Sequence, residues 1–307
     1  MATADISESL IDALNVISGP HPGFRAAHAR GIVAEGTFTP TPEVSALTRA
    51  AHLQGAAVPI TVRFSNAGGI PTVADSERGG RGMAIKFHLP DGRNTDLVCV
   101  SAPAFASRTP EDFLELLRLR APDPSTGKPD MVKLGAFLAK HPETAAVLAA
   151  GAATPPRASF ATTAYHALHA FRFVNVAGEG RWVRYHVAPE AGEASLTDDE
   201  AAALSEDYLQ RDLRERLANG PAAFALNVQL ANPADQLIDP TQPWPNDRES
   251  VECGRIVVTT VLSEQAAGDA MIWDPTNITD GIELSDDPIL RVRAGAYSVS
   301  FARRRAP

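Results

Sequence analysis

The strongest constraint on the fold of this chain is a pair of tight turns, each flanked by two segments that favour β-structure. Residues 83–89 and 95–100 are rich in apolar and β-branched side chains, and the Asp91-Gly92 pair between them is typical of a β-hairpin. A second hairpin is predicted for residues 171–176 and 181–187, which flank a turn with two glycines. Strands joined in this way lie antiparallel in one sheet.

Other strand and helix candidates surround these hairpins. Further strands are predicted at residues 32–38, 58–65, 222–231 and 254–262. Helices are predicted at residues 1–20, 41–53, 110–156 (with starts at Pro110, Asp130 and Pro142) and 197–219. About eight strands joined by hairpins or helical excursions favour an α+β fold, namely a closed antiparallel eight-stranded β-barrel with helical insertions.

Charge and cysteine content narrow the class of partner. The net charge of -9 over 307 residues argues against nucleic acid or anionic lipid and favours a small molecule. Cys99 and Cys253 are the only cysteines, so no disulfide framework is expected. Neither a secretory leader nor an apolar run of about 18 residues is recognisable, so we expect a cytoplasmic protein without membrane insertion. We predict one domain over residues 1–307, with residues 1–20 as an N-terminal arm.

The last helical turns, residues 291–304, put one phenol among several arginines. Residues four apart share a helix face, so Arg293 lies one turn below Tyr297 and Arg304 lies about two turns above it. Positive charge beside a phenol stabilises its ionised form, and tyrosinate is one of the few protein ligands of haem iron. From these residues alone, a surface tyrosine on a basic helix is the simpler interpretation.

Two other groups of side chains are candidates for chemistry. His28 precedes a predicted strand, and a histidine has an unperturbed pKa near ~6.5 that suits proton transfer at neutral pH. Ser65, at the end of another strand, can orient an imidazole through its hydroxyl. His166 and His169 lie three residues apart, a metal-pair spacing, but no HExxH motif accompanies them. Each residue also has a plain structural explanation as a surface, capping or turn residue.

These residues, taken together, resemble the haem catalase family along almost the whole chain. Matching segments in the family's order include Arg25-x-x-His28-Ala29-x-Gly31, Val62-Arg63-Phe64-Ser65, Arg81-Gly82-x-Ala84, His169-x-Phe171, Arg211-Asp212-Leu213, Asp274-Pro275-x-Asn277 and Arg293-x-x-x-Tyr297. Chance agreement at so many ordered positions is implausible. The resemblance implies a catalase-like barrel with a C-terminal haem-ligand helix, and haem b (iron protoporphyrin IX) as the cofactor.

The resemblance also implies a role for each matched position. His28 is implied as the distal acid–base group and Ser65 as its orienting neighbour. Tyr297 is implied as the axial iron ligand, held ionised by Arg293. The remaining positions with a family role are the propionate-binding Arg25, Arg63 and Arg304 and the porphyrin-stacking Phe113.

The chain departs from the family's pattern on the distal side. Ser101 stands where the family has an asparagine, and we count it with His28 and Ser65 as a catalytic candidate. Ala26 and Ala27 stand where the family has bulkier valines, which leaves more room above the iron. The chain ends at Pro307, so neither the long N-terminal arm nor the C-terminal helical or flavodoxin-like domain of full-sized catalases is expected. Such a core resembles the small catalase-related peroxidases.

These features predict a haem peroxidase that uses organic hydroperoxides or hydrogen peroxide to oxidise small organic donors, with weak or no catalase activity. Because the extra segments are missing, a homodimer is expected. Two alternatives remain open. One is an enzyme that isomerises or dehydrates fatty-acid hydroperoxides, and the other is a non-catalytic barrel that stores or senses haem or binds a lipid.

Overall fold

The part of the chain that the structure describes contains ten strands and eight α-helices. This structure is a computed structural model, which describes the backbone of residues 3–305 and the side chains of residues 6–305. The strands are β1 Gly31–Pro40, β2 Val58–Asn66, β3 Arg81–His88, β4 Asn94–Val100, β5 Tyr165–His166, β6 Phe171–Val174, β7 Gly180–Pro189, β8 Ala222–Leu230, β9 Ser250–Val261 and β10 Ile282–Leu284. The helices are α1 Thr3–Ser18, α2 Pro110–Arg120, α3 Met131–Lys140, α4 Pro142–Ala153, α5 Asp198–Ala202, α6 Tyr208–Asn219, α7 Gln265–Asp269 and α8 Pro288–Arg305.

Eight of the strands close into a ring. Hydrogen-bonded neighbours follow the order β7-β5-β4-β3-β2-β1-β9-β8, and β8 pairs back with β7 along seven residue pairs from Val183↔Leu230 to Pro189↔Phe224. β6 and β10 extend the sheet outside this ring. The predicted closed antiparallel eight-stranded barrel is confirmed. The predicted set of eight strands omits the two-residue β5, which belongs to the ring. It includes the strand at residues 171–176 instead, which corresponds to β6 and lies outside the ring.

Aromatic side chains fill the barrel. β8 buries every second residue, as expected for a strand with one face on the core. Inside, Phe64 packs against Phe160 with ring centroids 5.4 Å apart, and Tyr165 and Phe224 complete the cluster. Burial of such a side chain contributes roughly 1.5–3 kcal/mol. The barrel is therefore a rigid, filled scaffold, and the loops and helices at its rim carry the remaining polar groups.

The N-terminal helix packs against the last helix of the chain. α1 contributes Ile6 and Leu10 to an apolar cluster with α2, and Val292 of α8 packs against that cluster. At Gly295, an added Cβ would lie 2.4 Å from Ser7 Oγ of α1, so glycine permits the close approach of the two helices. The predicted N-terminal arm is a helix over residues 3–18, while residues 1–2 lie outside the described part.

Two predicted helices are broken by contacts that are distant in sequence. The helix predicted at 197–219 is wrong as one element, since α5 ends at Ala202 and α6 begins at Tyr208. Its capping box of Thr197 and Glu200 is present, but the carboxylate of Asp75 accepts from Leu209 N (2.9 Å) and starts a new helix. The helix predicted at 41–53 is likewise only two short 3-10 turns. Between them the buried Thr48 hydroxyl donates to Gly281 O (2.6 Å).

Other helix boundaries follow the sequence signals more closely. The predicted stretch 110–156 consists of three helices, α2 to α4, which begin at or beside the predicted starts. α8 begins at Pro288, one turn before the predicted segment, because Asp287 caps it through Ile289 N (2.8 Å). Among the residues that the structure describes, none of the helices has the length and apolarity needed to cross a bilayer.

Candidate active site

His28 has an unusual backbone conformation just before β1. Its φ of 55° is the one positive value at a non-glycine residue in the described part of the chain. Such strain costs about 1–3 kcal/mol and is concentrated at functional sites. Arg63 stabilises the segment by donating to His28 O (2.9 Å) and Ala29 O (3.3 Å). Burial, followed by the positive charges of Arg63, Arg293 and Arg25, lowers the pKa of His28 to about 3, so the imidazole is neutral at physiological pH.

Ser65 and Gly82 fix the orientation of the His28 ring. Ser65 is buried near the end of β2, with its Oγ 2.9 Å from His28 Nδ1. Gly82 faces Ser65 across the β2–β3 ladder, and an added Cβ there would lie 2.7 Å from Ser65 Oγ and 2.8 Å from His28 Nδ1. Only glycine therefore leaves room for this hydrogen bond. When Nδ1–H donates to Ser65 Oγ, Nε2 keeps a free lone pair for a proton.

Ser101 directly follows β4 and uses its hydroxyl on the backbone of Arg81. Its Oγ accepts the N–H of Arg81 at 2.9 Å, and Ser101 N donates to Arg81 O at 2.8 Å. Arg81 directly precedes Gly82, so Ser101 lies one residue from the glycine that contacts His28. The described hydrogen bonds of Ser101 do not include one to His28. The geometry thus brings Ser101 to the edge of the distal group, while its catalytic role stays a prediction.

The guanidinium of Arg293 holds the phenol of Tyr297 on α8. Nη2 donates to the Tyr297 hydroxyl at 2.5 Å and Nε donates to the same oxygen at 3.1 Å. Hydrogen bonds from a charged donor are about twice as strong as neutral ones and favour the anionic acceptor. Tyr297 is only partly buried, so its oxygen can reach a ligand. This arrangement suits a phenolate that binds a metal.

Two residues that the sequence analysis did not assign to the site extend this pair into a chain. Arg293 Nη1 donates to His169 Nε2 at 3.0 Å, and His169 Nδ1 lies 2.6 Å from Asp287 Oδ2. Both His169 and Asp287 are buried to about 1% exposure. Burial lowers the pKa of His169, and the hydrogen bond to Asp287 opposes that change. His169 thus donates to the carboxylate and accepts from Arg293, which fixes the guanidinium against Tyr297.

The sequence contains a signal for Asp287 but a misleading one for His169. An aspartate followed by Pro288 at the start of α8 is a helix N-cap signature, and the other oxygen of that carboxylate binds His169. The metal-pair spacing of His166 and His169 suggests a different partner for His169. In the structure His166 instead stacks on His186, with ring centroids 4.7 Å apart. Within the described residues, no group of three or more His, Cys, Asp or Glu side chains is arranged to hold a metal ion.

Three predicted propionate-binding arginines converge on one short segment at the end of α7. Arg25 donates to Asp269 Oδ1 (2.8 Å) and Met271 O (2.9 Å), and Arg304 donates to Met271 O (2.8 Å). Arg63 Nε is buried without a hydrogen-bond partner and lies 3.5 Å from Asp269 Oδ1. Burial lowers the pKa of all three, to about 9 for Arg63 and about 10 for Arg304. The cluster therefore keeps an excess of two positive charges.

The distal segment and the helix of Tyr297 are joined directly. Ala26 N donates to Ser300 Oγ of α8 at 3.3 Å, so the residues before His28 are tied one turn beyond Tyr297. Ala27, like Ala26, is partly exposed. Phe113 packs edge to face on Phe105, with centroids 4.8 Å apart, beside the α1–α2 cluster. Phe113 therefore lies at the same end of the barrel, while its stacking role stays a prediction.

The residues present fit a haem. A phenol held by two guanidinium N–H groups is a suitable anionic ligand for ferric iron. The excess of two charges in the arginine cluster matches the two propionate carboxylates, and the unpartnered Arg63 Nε is a free donor for one of them. Every residue from Val292 to Tyr297 remains partly exposed, although α8 packs against α1. Part of the α8 surface around Tyr297 is therefore accessible to a ligand.

Comparisons with known proteins agree with this description. The Catalase family model matches residues 10–306. A catalase-related peroxidase of Mycolicibacterium paratuberculosis (strain ATCC BAA-968 / K-10) is 41% identical over 299 residues, which covers 97% of this chain and 94% of that protein. A catalase-related peroxidase of Synechococcus elongatus is 36% identical over 304 residues, which covers 99% of this chain and 90% of that protein.

Solved structures show the same architecture in longer chains. The crystal structure of a fungal catalase matches with a TM-score of 0.82 at 26% identity, over 92% of this chain and 60% of that one. The structure of a bacterial catalase matches with a TM-score of 0.82 at 27% identity, over 92% of this chain and 58% of that one. The chain therefore spans about 60% of the length of these solved proteins.

Proposed function

The chain belongs to the catalase family, and from this premise we propose that it is a haem peroxidase that acts on organic hydroperoxides in preference to hydrogen peroxide disproportionation. The observation that carries the proposal is one pair of oriented groups. Arg293 directs two N–H groups at the Tyr297 oxygen, and Ser65 holds the His28 ring through Nδ1. A proximal anion and a distal proton carrier are what peroxide cleavage at a haem requires.

When bound, haem supplies the iron that breaks the peroxide O–O bond and stores the oxidising equivalents. His28 Nε2 would accept a proton from the peroxide and return it to the departing oxygen, which would leave as water or an alcohol. The lowered pKa of His28 keeps the imidazole neutral between turnovers, so Nε2 has a lone pair available for a proton. Ser65 keeps the ring in the orientation that this transfer needs.

The proximal residues hold the ligand rather than move protons. Tyr297 would hold the iron through its oxygen, and the hydrogen bonds from Arg293 would favour the anionic oxygen that such a ligand needs. His169 keeps Arg293 in place through a hydrogen bond of 3.0 Å, and Asp287 holds His169 through one of 2.6 Å. Arg25, Arg63 and Arg304 would bind the propionates. Such a preorganised set costs no rearrangement when peroxide arrives.

The preference for organic peroxides rests on the distal residues. Ala27 is small, and Ser101 is shorter than an asparagine and already accepts a hydrogen bond from Arg81. A larger, less polar distal space admits an alkyl hydroperoxide and an organic donor, whereas rapid disproportionation needs a second hydrogen peroxide held in a polar site. We propose that small organic molecules are the electron donors.

The test of this preference measures two reactions side by side on the haem-loaded enzyme. Oxygen release from hydrogen peroxide is followed with an electrode, and dye oxidation is followed with cumene hydroperoxide as oxidant. We expect dye oxidation to dominate. We also expect the double variant Ala27→Val with Ser101→Asn to move the ratio toward oxygen release. Dominant oxygen release by the unaltered enzyme would refute the preference.

Two alternatives are less well supported. Both relatives described above are catalase-related peroxidases, which does not favour a hydroperoxide isomerase. Analysis of the products from a lipid hydroperoxide without donor would detect such an enzyme. A lipid-binding barrel is disfavoured because Phe64, Phe160, Tyr165 and Phe224 pack against one another inside the barrel. If the protein merely stored haem, His28→Ala would leave peroxide turnover unchanged.

We propose haem b as the cofactor, because the site offers arginines for two carboxylates and the described residues include only two cysteines, both buried and free. The same free cysteines support a reducing, cytoplasmic location. We propose a single domain and a homodimer. Pyridine haemochrome spectra and light scattering test the cofactor and the oligomeric state.

A further inference from the structure

Asp269 is the carboxylate that joins the arginine cluster, and the proposed function gives it no task. Its Oδ1 lies 2.8 Å from Arg25 Nη1 and 3.5 Å from Arg63 Nε. Arg304 shares the acceptor Met271 O with Arg25, and the charge of Asp269 opposes the lowering of the Arg304 pKa by burial. Within the described part of the chain, neither Arg25 nor Arg63 forms an ion pair with another carboxylate. Asp269 is thus the shared counterion of three arginines.

These arginines need a counterion because two of them are nearly buried. The side chain of Arg25 is 14% exposed and that of Arg63 is 4% exposed. A buried guanidinium that loses its partner is costly, typically by several kcal/mol for an isolated charge. The two backbone carbonyls that accept from Arg25 reduce this cost but do not neutralise the charge.

Asp269 is placed by contacts that do not depend on the arginines. It ends α7, which is tethered to β1 because Gln265 bonds both Val33 N (2.8 Å) and Val33 O (2.9 Å). Gly268 lies against the Val33 side chain, where an added Cβ would be 2.6 Å away. The Asp269 side chain itself is 46% exposed. Its carboxylate can therefore turn toward water without moving α7.

Resting on the proposed function, we propose that Asp269 is an internal counterion that competes with the haem propionates for Arg25, Arg63 and Arg304. Two propionates bring two carboxylates to the same arginines. The carboxylate of Asp269 then competes with the propionates for the same N–H donors and repels the propionates. Asp269 is therefore a positioning residue: it keeps the arginines in place for cofactor loading, and it limits how tightly the loaded cofactor is held.

The test compares haem release from loaded wild type and loaded Asp269→Asn. Capture of haem by excess apomyoglobin reports the dissociation rate independently of peroxide turnover. We expect Asp269→Asn to release haem about 3- to 10-fold more slowly, because a competing carboxylate is removed. The size of the effect follows from the interaction energy of a partly exposed ion pair. Asp269→Glu keeps the charge and should release haem like the wild type.

A second measurement separates competition from simple loss of stability. Thermal unfolding of the full chain is recorded with and without haem. Asp269→Asn should lower the midpoint more in the haem-free chain than in the loaded chain. The matched control is Asp280→Asn, which removes an exposed partner from Arg49 (2.7 Å) elsewhere on the surface and should change neither the rate nor the difference.

The outcomes distinguish this inference from the proposed function. Unchanged or faster haem release from Asp269→Asn, with a normally loaded wild type, would overturn the inference and leave the proposed function standing. Equal loss of stability in both forms would also overturn it. A wild type that binds no haem would overturn the proposed function itself.

Discussion

The guanidinium of Arg293 donates to the Tyr297 hydroxyl from two nitrogens at once, Nη2 at 2.5 Å and Nε at 3.1 Å. Its third nitrogen is held by His169 at 3.0 Å. We expect Arg293→Gln to weaken haem binding about 10- to 100-fold, because one charge-assisted group with two hydrogen bonds is lost. Titration of the haem-free chain with hemin measures this.

A control on the same helix isolates the effect of position. Arg291 is half exposed and bonds Ser285 O at 3.0 Å, away from the phenol. Arg291→Gln should bind hemin like the wild type. Equal affinities for all three proteins would mean that Arg293 does not stabilise the iron ligand.

Gly82 leaves the space in which His28 meets Ser65. An added Cβ would lie 2.8 Å from His28 Nδ1, so Gly82→Ala should turn the ring away from its hydroxyl partner. We expect the rate of reaction with peroxide to fall about 10- to 100-fold while haem stays bound, since oriented proton transfer contributes that much. Stopped-flow absorbance of the loaded enzyme measures the rate.

Gly80, two residues earlier, provides the matched control for this substitution. An added Cβ there would meet only the Ala67 Cβ, at an ordinary 3.5 Å. Gly80→Ala should therefore react with peroxide at the wild-type rate. If Gly82→Ala does the same, the orientation of His28 does not depend on this glycine.

Gly295 brings α1 against the helix that carries Tyr297. An added Cβ would lie 2.4 Å from Ser7 Oγ and 3.2 Å from Ser7 Cβ. We expect Gly295→Val to cost about 1–3 kcal/mol of unfolding free energy through overpacking, and to speed haem loss. Gly135 of α3 has nothing within 4 Å, so Gly135→Val should not destabilise. Thermal unfolding compares the two; equal midpoints would show that α1 does not support α8.

His52 makes the protein sensitive to acid. Its Nδ1 is buried without a partner, beside Phe87 at 4.6 Å between ring centroids, and burial lowers its pKa to about 3. The unfolded chain takes up the proton near the ordinary value of ~6.5, and the folded chain does not. The contribution of the neutral His52 to stability is therefore fully present above pH 6.5 and is lost as the pH falls toward 3.

The variant His52→Leu tests this account of acid sensitivity. Between pH 7 and pH 5 the free energy of unfolding of the wild type should fall by about 2 kcal/mol because of His52. The variant should not show this loss. Urea unfolding at both pH values measures the difference. An identical loss in wild type and variant would assign the acid sensitivity to other groups, such as His166, whose pKa is lowered to about 4.

Local sequence signals predict the hairpins, but they do not predict helix boundaries that are set by residues distant in sequence. The hairpin around Asp91-Gly92 is predictable because the turn needs glycine, whose φ is 82° at Gly92. The break between α5 and α6 is not predictable, because the capping carboxylate of Asp75 lies 134 residues from Leu209. The two-residue β5 is too short to leave a pattern.

The contacts of the candidate site are likewise predictable only between residues that are close in sequence. Arg293 and Tyr297 are four residues apart on one helix, so their contact follows from helical periodicity. The contact of His169 with Asp287 spans 118 residues and depends on the fold. The convergence of Arg25 and Arg304 on Met271 has no local sequence signal either.

The most direct test of the central claim is the absorption spectrum of the purified protein beside that of Tyr297→Phe. The account predicts a coloured wild type with the spectrum of ferric haem bound to a phenolate. In Tyr297→Phe that spectrum should be lost or shifted to another ligand state. A colourless wild type, or identical spectra for the two proteins, would contradict it.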